Sequence, residues 1–251
     1  MKDNMEMLRA EDLCRSFQMQ GTKIDVLKGI NLTVYQQEFI AVMGKSGSGK
    51  TTLLKLLSIL DRPSSGKVFF KGRNARGIRG DRLAEVRRRE IGFIYQDYYL
   101  MDSLSVLENI MLPAILDHRG AEECESEARR LAELMGIPSL LEKHTYELSG
   151  GEKQRAAICR ALSNHPDLIL ADEPTGNLDS ASSETVMNYL TGINQKMKKT
   201  IVMITHDPYV ASCSSRVIFL KDGMIGTELK NSGDRDAFCD QIMKEQKRML
   251  F

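Results

Sequence analysis

The 251-residue chain has no tryptophan, and none of its apolar runs approaches the ~18 residues that a membrane-spanning helix needs. If it works at a membrane, something else must hold it there. No signal peptide is expected either, because Met1, Lys2, Asp3, Asn4, Met5 and Glu6 have no apolar core behind them. Cys14, Cys124, Cys159, Cys213 and Cys239 are scattered and form no C-x-x-C pair, so they read as reduced thiols of a cytosolic protein. Charge of one sign is lacking too. Lys and Arg number 35 against 34 for Asp and Glu, which leaves no field to recruit nucleic acid or an anionic membrane. Low-complexity stretches and internal repeats are also missing. What remains is an ordinary globular composition, long enough for one large α/β domain or a domain with a sizeable insertion.

The most informative stretch is Gly44, Lys45, Ser46, Gly47, Ser48, Gly49, Lys50, Thr51 and Thr52, which fits G-x-x-x-x-G-K-[ST]. Residues 39–43 before it are short and apolar, as a buried parallel strand should be. Residues 53–60 after it are good helix formers with two polar interruptions. A Gly-rich turn that binds nothing would not need this flanking strand and helix. The glycines let the backbone curl around phosphate oxygens, and the new helix adds unpaired N–H donors and a positive dipole end. Lys50 is placed to reach the β- and γ-phosphates of a nucleotide, and the Thr51 hydroxyl to ligate Mg²⁺.

Along the chain, residues 8–17 and 24–34 read as strands around a turn at Gln20, Gly21 and Thr22. Phe17, just before that turn, is either core or a ring for a base to stack on. A turn at 63–66 leads into a strand over 67–70. From Asp81, expected to cap, the pattern is helical, with Glu85 in reach of Arg88 or Arg89. The run Arg87, Arg88, Arg89 reads as a solvated helix face. A strand over 91–95 ends at Gln96. The following loop holds Asp97, Tyr98, Tyr99, Leu100, Met101, Asp102 and Ser103, unusually apolar for a loop, which hints at a protein contact surface. A helix from Ser105 is expected to stop near Pro113, and 122–135 is amphipathic. Residues 96–163 thus form a mostly helical block between strands. Strands return at 168–171, 200–204 and 217–220, with a helix over 180–194 capped by Asp179 and a helical tail from Asp234 to Leu250. Strand–helix–strand alternation implies a parallel sheet with crossovers, and binding residues then cluster at strand carboxyl ends. Lys50, Gln96, Asp172, Glu173 and His206 all lie at or just past such ends.

Asp172 closes an apolar run and is a candidate Mg²⁺ ligand. Glu173, directly after it, is placed to orient or deprotonate an attacking water. Ser149-x-x-Glu152 reads as a capping box. Yet Gly150 and Gly151 each weaken the helix by about 1 kcal/mol, and a cap does not need them. They supply bare backbone N–H groups at a helix N-terminus, a second phosphate site.

Residues 148–154, Leu-Ser-Gly-Gly-Glu-Lys-Gln, resemble the signature of the ABC-transporter ATPases. Asn177, Leu178 and Asp179 match that family's D-loop, Gln96 its Q-loop glutamine, His206 its switch histidine and Phe17 its adenine-stacking aromatic, where Tyr is commoner. The resemblance covers nearly the whole chain. It implies an α/β fold: a P-loop hydrolase with a mainly parallel sheet core, an antiparallel β subdomain and a helical insertion. Residues 1–251 would form one such domain, with 1–95 and 164–230 as catalytic core, 96–163 as helical signature subdomain and 231–251 as C-terminal tail. ATP and Mg²⁺ are the implied ligands. Residues 44–52 would bind phosphates; Thr51, Gln96 and Asp172 would serve Mg²⁺; Glu173 would be the catalytic base, with His206 on the γ-phosphate. Ser149, Gly150 and Gly151 would bind the γ-phosphate held by another protomer, so a homodimer is implied.

Residues 92–109 and 171–180 look like the lipoprotein-release and macrolide-export branch. Residues 216–223, 234–235 and 241–244 are similar to the bacitracin-type antimicrobial-peptide transporters of bacteria. The implied partners are an integral-membrane permease docking near 97–103 and a sensor kinase reached through it. The implied location is the cytoplasmic face of the bacterial membrane. An ABC-type ATPase of soluble machinery usually needs two cassettes or a long coiled coil, and this chain has neither. An ATPase that only transmits nucleotide state to a sensor or cell-division complex is not separated from a transporter by sequence.

Overall fold

A computed structural model describes residues 5–19 and 21–249; Gln20 of the expected turn and Leu250 of the expected tail lie outside them. The elements in order are β1 (Glu6–Met19), β2 (Thr22–Tyr35), β3 (Phe39–Met43), α1 (Lys50–Leu57), β4 (Ser65–Phe70), β5 (Arg73–Asn74), α2 (Gly80–Arg89), β6 (Ile91–Tyr95), α3 (Val106–Ile115), α4 (Ala121–Leu134), α5 (Gly150–Leu162), β7 (Leu168–Asp172), α6 (Ser180–Met197), β8 (Thr200–Ile204), α7 (Pro208–Ala211), β9 (Arg216–Lys221), β10 (Met224–Lys230) and α8 (Arg235–Arg248). They build two sheets. An antiparallel one runs β2-β1-β4-β5, and a larger one runs β10-β9-β3-β8-β7-β6. Within the larger sheet β9, β3, β8, β7 and β6 are parallel, and β10 closes one edge antiparallel.

Alternation along the parallel strands decides which layer each side chain joins. Phe39, Ala41 and Met43 face one core together with Val106 of α3, Ala128 of α4, Ile158 of α5 and Val186 of α6. Ile40 and Val42 face the other core with Leu53 of α1, Val86 of α2, Leu8 of β1 and Leu27 of β2. The sheet is therefore covered on both faces, which leaves its strand ends open to a ligand. The helical block packs on one face and the nucleotide-motif helix on the other. No helix among the described residues is long and apolar enough to cross a membrane.

Two local expectations change, and one strand appears that was not expected. Asp81 does not cap α2: the N-cap position is Arg79, and Asp81 sits in the first turn, where it still complements the helix dipole. Helix α3 does not stop at Pro113 but runs to Ile115. Proline's φ is compatible with a helix, only one late hydrogen bond is forfeited, and the extra turn buries Ala114. The carbonyl of Pro113 accepts from Asn164 Nδ2 at 3.0 Å. Strand β10 has no apolar run because it is an edge strand with alternating exposure. Its signal was the Asp-Gly turn, since Asp222 and Gly223 have φ of 50° and 80°, as a two-residue hairpin requires.

Candidate nucleotide site

Strand β3 delivers Gly44 to α1 through the loop Lys45–Gly49, and the geometry explains two of its glycines. A Cβ on Gly44 would lie 2.3 Å from the Leu220 carbonyl oxygen. Gly49, with φ +101°, would place one 2.8 Å from Leu27 Cδ2. Lys50 Nζ donates to the carbonyls of Gly44 and Lys45 at 2.8 and 3.0 Å, which bends the ammonium back over the loop. Burial lowers the Lys50 pKa, against the opposing pull of Glu173 and Asp172. Ser48 Oγ is buried and has no protein partner. An unpartnered buried hydroxyl beside the Lys50 ammonium fits an anion such as a nucleotide phosphate.

The parallel strands bring the other groups to the same end. Asp172 ends β7, and Thr51 hydrogen-bonds its carboxyl. Burial raises the Asp172 pKa, the Thr51 bond opposing it and the Glu173 charge adding to it. Glu173 adopts φ +47°, unusual for a residue with a side chain, and its N–H donates to the Ile204 carbonyl at 3.0 Å. That conformation turns its carboxylate toward His206, whose Nδ1 lies 3.0 Å from Glu173 Oε2. The His206 ring is 70% exposed and so is open to a ligand.

One cleft of about 1030 Å³ is lined by Gly44, Lys45, Ser46, Gly47, Ser48, Gly49, Lys50, Thr51, Thr52, Gln96, Asp172, Glu173 and His206. The expected residues of the P-loop and the strand ends are thus together. Thr51, Gln96 and Asp172 supply hard oxygen donors, one of them a carboxylate, which suits Mg²⁺ completed by substrate phosphates and water. Val26, Asp222, Gln246 and Met249 also line the cleft and were not singled out from sequence. Val26 arrives because the β9–β10 turn abuts β2, with Lys28 N donating to the Gly223 carbonyl at 2.8 Å. The Gln246 side chain donates to the His206 carbonyl at 3.0 Å. Such contacts between distant segments leave no periodic signal.

Phe17, Ser149, Gly150, Gly151 and Asp179 are not among the described residues that line this cleft. Phe17 is 37% exposed on β1, with the Arg15 guanidinium 4.5 Å over its ring. Ser149 caps α5 in a capping box with Glu152. The two glycines after it also have packing reasons. A Cβ on Gly150 would lie 3.0 Å from the Tyr98 hydroxyl, and one on Gly151 3.0 Å from Ser182 Oγ. Asp179 caps α6, accepting from Ser182 N and Oγ at 2.9 and 2.7 Å. Hydrogen bonds from the Ser182 backbone and hydroxyl hold its carboxyl below the usual range.

The loop after Gln96 divides its apolar side chains. Leu100 packs against the helical core, while Tyr99 and Met101 are 64% and 47% exposed. Gln96 Nε2 donates to Asn177 Oδ1 at 3.0 Å, and Asn177 Nδ2 returns a bond to the Gln96 carbonyl at 3.1 Å.

A family model described as ABC transporter matches residues 27–176. The chain is 43% identical over 243 residues to the bacitracin export ATP-binding protein BceA of Halalkalibacterium halodurans, covering 96% of each chain. It is 45% identical over 219 residues to the macrolide export ATP-binding/permease protein MacB of Wolinella succinogenes, covering 87% of this chain and 34% of that protein. The fold is similar to a dimeric post-hydrolysis structure of the ATP-binding cassette MJ0796 bound to ADP and Pi, with a TM-score of 0.84 and 38% identity, over 91% of this chain and all of that one.

Proposed function

The chain belongs to the ABC transporter ATPases, and on that premise we propose that it powers a separate membrane permease in bacterial antimicrobial-peptide resistance of the bacitracin-export type. Full-length similarity to a bacitracin export ATPase is the observation that carries the peptide reading. The permease reading rests on relatives named for export, one of them an ATP-binding/permease protein, and its separateness on the 96% coverage of the bacitracin export ATP-binding protein. The chain then sits on the cytoplasmic face of the membrane, held there by protein contact. Tyr99 and Met101 form the docking patch, since aromatics and Met are enriched at interface cores.

Within the proposed site, residues 44–52 wrap the phosphates of ATP, and Lys50 turns from its two carbonyls to the β- and γ-phosphate oxygens. Thr51, Asp172 and Gln96 hold Mg²⁺, which when bound neutralises charge on those oxygens. Glu173 takes a proton from the water that attacks the γ-phosphorus as the bond to the β-phosphate oxygen breaks. His206, already paired with Glu173, orients that carboxylate and faces the γ-phosphate. Ser149, Gly150 and Gly151 cover the γ-phosphate in a second protomer.

Glu173→Gln tests the base. It should bind ATP normally, accumulate as an ATP-bound dimer and lose roughly 10²–10⁴-fold in turnover, the usual contribution of a general base. Near wild-type turnover would remove Glu173 from the mechanism. The peptide reading has its own test. Deleting the gene should make the host several-fold more sensitive to bacitracin, and unchanged sensitivity would overturn that reading while leaving the ATPase intact.

A further inference from the structure

Helix α5 begins with the glycines after Ser149 and, ten residues on, carries Arg160. The Arg160 guanidinium donates to the backbone carbonyl of Tyr98 at 2.6 Å and also to that of Tyr99. Arg160 enters none of the ion pairs among the described residues. Burial accordingly lowers its pKa, with Tyr95 opposing. A partly buried cation that bonds two successive backbone carbonyls has a demanding geometry, because the planar fork reaches both together. Its two acceptors are also unusual. Tyr98 and Tyr99 have φ of +61° and +47°, a region that residues with side chains seldom occupy in succession.

The same few residues are gripped from two other directions. The Tyr98 hydroxyl abuts Gly150, so the loop touches α5 near its first turn as well as at Arg160. Asn177 Nδ2 contacts the Gln96 carbonyl and Asp97 Oδ1, at 3.1 and 3.2 Å. The left-handed pair is therefore held from both sides: by Tyr95 at the end of β6, whose carbonyl accepts from Tyr98 N at 3.3 Å and whose ring meets that of Tyr99 edge-on, and by α5 through Arg160 and Gly150.

We propose that Arg160 is a positioning residue that fastens the loop after Gln96 to α5, so that a phosphate bound at Ser149, Gly150 and Gly151 shifts the exposed Tyr99 and Met101 together with the helix. The inference rests on the reading of 149–151 as a second phosphate site. It adds a route by which that site reaches the docking patch without passing through the cleft.

Hydrogen exchange on the Glu173→Gln chain, with and without ATP, tests it without a permease. ATP should slow exchange of amides 97–103 several-fold. Adding Arg160→Met should abolish most of that ATP-dependent difference while ATP affinity and the dimer persist. Arg160→Lys, which keeps the charge, should restore part of it. A merely structural arginine would raise exchange equally in both states and leave the difference intact, which would overturn the proposal. So would an ATP-bound dimer whose 97–103 amides never respond. If Arg160→Met does not fold, Arg160→Lys decides alone, because full retention of the difference there overturns the planar-fork argument. ATP binding without any dimer would instead remove the second phosphate site, and the proposal with it.

Discussion

Gly49 shows how one residue ties the two sheets to the nucleotide loop. Its φ of +101° is open to glycine, and Val26 and Leu27 of β2 leave no room for a Cβ. Gly49→Ala should therefore destabilise the chain by about 1–2 kcal/mol from the left-handed backbone alone, plus a clash with Leu27. Urea unfolding and a nucleotide titration should show both stability and affinity falling. Gly192 is the control: it lies inside α6 with no atom within 4 Å of an added Cβ and no positive φ. Gly192→Ala should stabilise by about 0.5–1 kcal/mol and leave ATP binding unchanged. At this scale the sequence was most readable where one short segment holds the whole geometry, as at Lys50, Asp172 and Glu173. Val26 was illegible because its place depends on Gly223 approaching from a hairpin nearly two hundred residues away.

Between elements, the least legible feature is Asp117, in the connection from α3 to α4. Its carboxylate accepts from Arg88 and Arg89 of α2, each at 2.7 Å, and so joins the helical block to the flank of the sheet. The sequence shows three consecutive arginines with Glu85 as their one partner within helical reach, and a solvated face was the natural reading. The structure instead sends Arg87 to the Ile59 carbonyl and its two neighbours to Asp117 and Glu85. Burial alone would raise the Asp117 pKa, but hydrogen bonds from Arg89 and Arg88 outweigh it and hold the carboxyl below its ordinary value near 3.8. The folded state thus binds fewer protons in that range. The stability gained is fully present above the ordinary value and is lost as pH falls through the depressed one. Asp117→Asn should lower the urea midpoint by a constant amount between pH 7 and pH 5, and the gap should narrow below about pH 4. A gap that is unchanged at low pH would mean that the carboxylate is not the source. The same long-range character hid the last turn of α3, where burial of Ala114 outweighs the proline that ordinarily marks a stop.

For the whole molecule, the decisive fact is which phosphate sites are together and which are apart. The cleft collects residues 44–52, Gln96, Asp172, Glu173 and His206, and the described lining does not include Ser149, Gly150 or Gly151. A single chain therefore offers one half of each of two reaction sites if 149–151 bind phosphate at all. Two-fold pairing makes such halves complementary, because each protomer gives the other what it lacks. ATPase activity per milligram should then rise with protein concentration and level off once dimers dominate. Lys50→Ala disables the cleft, and Ser149→Arg blocks the helix N-terminus, so each variant alone should be nearly inactive. Mixed in equal amounts, half the dimers pair one of each kind and hold one intact site, so activity should return to roughly a quarter of wild type if the sites act independently. Recovery fixes more than dimerisation, since a dimer with self-contained sites would gain nothing from mixing. Strict proportionality between rate and enzyme, with no complementation at any ratio, would make the monomer the catalytic unit. Ser149 and its glycines would then be a capped helix that packs against Tyr98 and Ser182 and nothing more.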